Sequence, residues 1–238
     1  FTYSLQILMI ASLFFASQTT EAQWAPAGGT GSDIYNTNPG NVGIGTDTPL
    51  CKLHVIDGAV MFESDSGSTP ISGAGTRLMW IPEKKAFRAG VVSGAQWDDA
   101  NIDHLTFAFG EDVEATLLYG IAMGKNAIAS NYHALAIGLD NEASGFGATS
   151  FGRLTLASGS NAFTAGIYGT ASGYASAVFG NDCVASGVET FAAGDDNTAS
   201  GDNSAAFGKD NIVSGEFGFV ANAENDVSAS YASAFGRE

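Results

Sequence analysis

Side chains able to do chemistry are few in this chain, and they stand far apart. The histidines are His54, His104 and His133, each without a second His, Cys or carboxylate at a metal-ligand spacing. A lone histidine in that setting reads as a core or surface residue. Cys51 and Cys183 are too distant in sequence to signal a disulfide framework, and they read as unpaired. The stretch GGTGSD at 28–33 follows no strand and opens no helix, so it reads as linker rather than phosphate loop. No nucleophile elbow is present, and most serines recur at fixed intervals, as turn or strand positions would. One acidic series remains: Asp112, Asp140, Asp182, Asp196, Asp210 and Glu224, separated by multiples of fourteen. Carboxylates stacked along one edge would suit weak Ca²⁺ binding. We read them instead as solvated turns that discourage lateral aggregation. The expectation is a protein that is not an enzyme and has no cofactor and no metal site.

The interval of fourteen is what positions these groups. Written in rows from Asn101, the chain keeps one register through Glu238 without insertion. The tenth column holds Gly110, Gly124, Gly138, Gly152, Gly166, Gly180, Gly194, Gly208, then Asn222, then Gly236. Gly and Asn are the residues that tolerate a left-handed backbone, so this column reads as a tight turn with positive φ. Gly145, Gly159, Gly173, Gly187, Gly201 and Gly215 in the third column mark a second turn. The second column is Ser from Ser130 to Ser228, suited to bonding its own turn backbone, and the first is Ala or Val from residue 115 onward.

Columns six to nine alternate in size, which is strand language. Early rows fill the seventh and ninth columns with Phe107 and Phe109, Ile121 and Met123, Leu135 and Ile137. From residue 143 a single large residue changes side row by row. Phe151, Phe179, Phe207 and Phe235 occupy the ninth column, and Phe163, Phe191 and Phe219 the seventh, each beside a small residue. The sixth and eighth columns are mostly Ala, Ser, Thr or Gly. Two short strands and two turns per row give an all-β fold, a parallel β-solenoid of about ten coils of fourteen residues. At roughly 4.8 Å per coil the rod would be on the order of 45 Å long. Its small face lets the strands of a coil approach. Its large face needs cover, so self-association is expected.

Composition agrees with an ordered acidic rod. The chain has 238 residues, 31 Gly, 16 Phe and a net charge of −16. Its apolar content argues against disorder, and scarce Lys and Arg make nucleic acid an improbable partner. An ice-binding face would need a regular Thr or Asn row, whereas the thirteenth column mixes Asn141, Asn197, Asn211 and Asn225 with Val113, Ala127 and Cys183.

Upstream of the rows, 1–22 reads as a signal peptide, with an apolar run from Leu5 to Ala16 too short for a spanning helix. No initiator Met and no basic leader precede it, so the start is expected to be truncated. Residues 23–37 read as a flexible linker. In 38–60, NPGNVGIGTDTPLCKLHV holds a turn at Thr46 to Pro49 and runs into a strand from Leu53 to Val60. Residues 61–100 are aperiodic, with RLMWI and FRAGVV around PEKK, and read as an irregular β segment capping the first coil. The coils take 101–238.

The motifs ASGYASAVFG, ASGDNSAAFG, ASGVETFAAG and NYHALAIG resemble the head repeats of trimeric autotransporter adhesins, the YadA-like left-handed parallel β-roll. The resemblance covers 115–238 well and 101–114 more weakly, where Asn101, Ile102 and Asp103 replace Ala-Ser-Gly. Asn222 in the glycine column and Tyr168 in the acidic column also depart from it. It implies a homotrimer with the apolar faces together. It further implies a non-enzymatic adhesin head at the bacterial surface, attaching to host, matrix or neighbouring cells through an unidentified receptor. The residues expected to make that contact are those that break the column pattern: Tyr132, His133, Tyr168 and Tyr174. No stalk or anchor barrel follows in this sequence, which stops inside a repeat at SAFGRE, so we expect a fragment or a head in another setting. The VGIGT.TP..KLHV segment looks like one found in bacterial surface proteins and phage-type tail fibres, so a phage-like receptor-binding fibre is the alternative.

Overall fold

The computed structural model describes residues 24–26, 34–36 and 40–237, and the segment read as a signal peptide lies outside the described residues. The chain divides into two compact units, 1–61 and 62–238. In the first, the stretch read as a linker holds a short antiparallel ladder between β1 (Trp24–Pro26) and β2 (Ile34–Asn36). Two further strands, β3 (Val42–Ile44) and β4 (Leu53–Val55), pair in parallel, with Val42 opposite Leu53. The strand expected to reach Val60 stops at Val55, two residues before Asp57, whose φ of 61° is incompatible with continued pairing.

The second unit opens with a hairpin of β5 (Gly75–Ile81) and β6 (Ala86–Val92). Next comes a short 3₁₀ turn at Asp99–Asn101, and then β6 pairs in parallel with β7 (Phe107–Glu111). From β7 onward every row contributes a five-residue strand in columns seven to eleven. Each full row also supplies a two-residue strand that runs into the next, beginning with β8 (Glu114–Ala115). Each pairing advances the sequence by fourteen, as Leu135 opposite Thr149 and Gly138 opposite Gly152 illustrate. The long strands form one 12-stranded sheet and the short ones a parallel 9-stranded sheet. The solenoid is therefore longer than the ten coils read from the sequence. The hairpin continues its ladder, with Gly90 opposite Gly110.

Two small-residue sheets make a thin interior. Columns one, six, eight and thirteen point inward, and Ala129, Ala136, Ala143, Val178 and Val213 are wholly buried. Volume is exchanged between columns where it must be. A Cβ on Gly169 would lie 2.8 Å from Val178 Cγ1, so the larger residue in one coil requires the smaller in its neighbour. The thirteenth column is inside the roll rather than on a face, and Asn197 and Asn211 are fully buried.

The third-column glycines open turns, as Gly145 O accepting from Ala148 N at 3.1 Å illustrates, but the tenth-column glycines do not. Each coil bends at two left-handed residues seven positions apart, in columns five and twelve. His133 (φ 59°) and Asp140 (φ 53°) form one such pair, and Ala175 (φ 52°) and Asp182 (φ 51°) another. The tenth-column glycines, read as turn residues, lie within the long strands instead. Gly138, inside Leu135–Leu139, has φ 142°. A Cβ there would sit 1.8 Å from the carbonyl oxygen of Gly152 in the next coil. Gly145 in the third column meets Gly159 in the same way, at 1.9 Å. At these glycines the neighbouring backbone passes too close for a side chain, whereas Asn222 holds its place in the tenth column with φ reduced to 88°.

One end of the short sheet is closed by side chains. Its strands donate forward, as from Glu114 N to Ala127 O at 2.9 Å, which leaves the carbonyls of Val113 and Ala115 at the open edge. Trp97 Nε1 donates to Val113 O at 3.0 Å, and Arg88 Nη2 to Ala115 O at 3.0 Å. Both side chains are fully buried. Arg88 also donates to Thr106 Oγ1 and to the carbonyls of Phe87 and Thr106. Burial pushes its guanidinium down to about 10, so it remains charged at neutral pH.

Candidate functional site

With columns six and eight turned inward, columns seven and nine turn out, and their rings run along the long sheet as a ladder. Phe151, Phe163, Phe179, Phe191, Phe207, Phe219 and Phe235 follow one another with centroids 5.0–6.0 Å apart. Phe87 and Phe107 stack at 5.3 Å, carrying the face onto the hairpin, where Trp80 and Leu78 lie in the same two columns. Phe109, Phe179 and Phe235 are exposed. Across these columns in all 12 strands there is no charged residue. A phenylalanine ring moved from water into a contact contributes about 1.5–3 kcal/mol, against about 0.8 for an alanine methyl. Burying this face would therefore add apolar stabilisation that the single roll leaves unused.

The two corners carry different chemistry. Columns four and five gather aromatic residues at the first. His133 stacks on Tyr119 at 4.8 Å and meets Phe146 edge-on at 5.6 Å, with Tyr132 exposed beside it. Tyr174 stands on the same corner three coils further on, about 14 Å away at the parallel-strand spacing. Further along, Phe217 stacks on Tyr231 at 5.0 Å. Tyr119, His133, Phe217 and Tyr231 all have positive φ, a conformation that costs bulky side chains energy.

The second corner is acidic and self-bonded. Asp140 Oδ1 accepts from Asn126 Nδ2 at 2.7 Å. Lys125 pairs with Glu111 at 2.8 Å, and Lys209 with Asp195 at 3.0 Å. Tyr168 belongs here, with Arg153 donating to its hydroxyl at 2.9 Å and lying over its ring. Of the four residues expected to make contact, Tyr132, His133 and Tyr174 share a corner and Tyr168 lies on the other. Tyr119 and Phe146, which sandwich His133, were not picked out. Reading columns four and five as columns would have found them.

Beside the hairpin, an open cleft is lined by Lys84, Asp99, Asp103 and His104. Lys84 Nζ bonds Ile102 O at 2.9 Å and the Asp99 carboxylate at 3.0 Å. Hydrogen bonds from Lys84, then from the Thr69 hydroxyl and amide, hold the Asp99 carboxyl below its ordinary range. His104 does the same for Asp103. These groups satisfy one another. Among the described residues no three His, Cys, Asp or Glu side chains converge on a metal position, and no helix is long and apolar enough to cross a membrane.

The YadA head domain repeat matches the chain twice, over residues 118–141 and 185–211. Over those two stretches the coil stack is similar to a YadA-type head. Both matched stretches lie in the coil stack, and the first includes Tyr119, Tyr132 and His133. No curated protein matches the chain. The head repeat is an adhesin-type module on a structural fold, and nothing in the comparison or the fold points to a tail fibre.

Proposed function

We propose that this head works without catalysis as the binding part of a homotrimeric adhesin at the bacterial surface. Its targets are host, matrix or neighbouring-cell surfaces. The observation that carries the reading is the separation of outward surfaces. One is continuous, apolar and uncharged, suited to burial between copies. The other is a broken series of exposed aromatics on a corner, suited to contact with something else. Three copies would present each corner three times, so modest contact energy per site multiplies through avidity.

Two measurements test it. Light scattering on the purified chain at micromolar concentration is expected to give the mass of a trimer. A stable monomer that binds no apolar dye overturns the assembly. Beads coated with the protein are then tested against matrix proteins, glycans and bacterial cells. Adhesion is expected to fall when Tyr132, His133, Tyr168 and Tyr174 are changed to Ser, with melting unchanged. Adhesion to none of these surfaces, together with hydrolase or lyase turnover, defeats the reading.

A further inference from the structure

We propose that copies of this chain associate in register, coil against like coil, and that the alternation of phenylalanine between columns seven and nine sets the register. The inference rests on the self-association read above. Around an axis parallel to the rod, column seven of one copy faces column nine of the next at the same height. From row 143 onward that contact joins large to small at every level. Phe163 meets Ala165, Phe179 meets Ala177, Phe191 meets Ala193 and Phe207 meets Ala205 of the neighbouring copy.

A solenoid needs such a device. Its coils are nearly identical, so a copy displaced by one coil would otherwise bury almost the same surface. With the alternation, a one-coil slip sets Phe163 against Phe179 and Ala177 against Ala193, crowding one level and leaving a void at the next. A two-coil slip restores the match but uncovers coils at both ends. It also brings levels with two large residues, such as Ile121 with Met123, against levels with one. Intrachain packing does not by itself demand the alternation. The earlier rows stack large residue on large residue in both columns, Leu135 on Ile121 and Ile137 on Met123.

The test exchanges the large and small residues in every row from 143 (F163A/A165F, A177F/F179A and so on). This preserves composition, diagonal ring contacts and self-complementarity, but inverts the phase. Parent and exchanged chains, carrying tags of different mass, are co-expressed and their oligomers counted by native mass spectrometry. Each is expected to assemble with itself, and mixed oligomers to fall roughly tenfold below their statistical share. Two tagged parents should mix freely. A three-row exchange around Ala177 gives the same readout should the full exchange misfold. Statistical mixing of parent with exchanged chain overturns the register and leaves the assembly standing. A parent that stays monomeric overturns the assembly, and the register with it.

Discussion

Asn211 donates from Nδ2 to Asn197 Oδ1 at 2.9 Å, and its own Oδ1 accepts from the amide and side chain of Asn225 at 3.1 and 3.0 Å. Each side-chain nitrogen in this series also bonds a carbonyl of the long sheet, as Asn211 does to Phe207 O at 3.0 Å. The buried amides thus tie successive coils to one another and both sheets together. Asn141, in the same column, lacks this continuity. The next coil offers Thr155, which turns to Ser150, and Asn141 Oδ1 is left buried without a partner.

Asn211→Ala should therefore cost about 1–3 kcal/mol, because it strands the buried backbone amide of Asn225 and removes one of the two donors to Asn197 Oδ1. Asn141→Ala should cost less, since it removes an unsatisfied atom along with a bond. Urea melts of the two variants give the comparison.

The glycine column separates strain from collision. A Cβ on Gly180 would meet Gly194 O at 2.0 Å, whereas one on Gly236 meets nothing within 4 Å. Gly180→Ala is expected to cost about 3 kcal/mol or more, and Gly236→Ala about 1 kcal/mol from its positive φ alone. Equal thermal shifts for the two would refute the collision.

Trp97→Phe keeps most of the ring but removes the donor to Val113 O. A stranded carbonyl at the sheet edge predicts a loss of about 1–3 kcal/mol. Amide exchange should quicken first in the coil containing Glu114 and Thr116, whose amides start the short ladder.

Acid should loosen the contact between Thr69 and the 3₁₀ turn. Asp99 is held below its ordinary range in the folded chain. Its contribution is present above the unfolded value of about 3.9 and is lost as pH falls through the lower folded value. Exchange of the Thr69 amide, taken relative to its intrinsic rate at each pH from 6 downward, should rise in that window. In Asp99→Asn the rise should be absent.

The period, the strand columns and the outward face were legible because each depends on side-chain size at fixed spacing. The acidic corner was legible as turns, and Asp140 and Asp182 do take left-handed φ there, but the first corner was not. Column five holds Leu105, Tyr119, His133, Asn161, Ala175, Glu189 and Phe217, all with positive φ, so the coil imposes that conformation on residues with no preference for it. The glycine column misled in the opposite direction. Positive φ usually marks a turn, but here it occurs inside strands whose backbones nearly touch. The mixed thirteenth column gave no sign of being interior, because polar side chains seldom fill one, and the mutual bonding of Asn197 and Asn211 is what makes it possible. The aromatic corner escaped notice for a related reason. His133 and Tyr119 are one coil apart and become neighbours only once the chain is wound.

The bonds that join one coil to the next lie along the rod, while the chain itself runs across it. Tension applied through the two ends of the coil stack would therefore not shear many bonds at once. It would peel the outermost coil, then the next, each releasing fourteen residues or about 45 Å of extended chain. Such a rod yields gradually under load and rewinds one coil at a time when the load is removed.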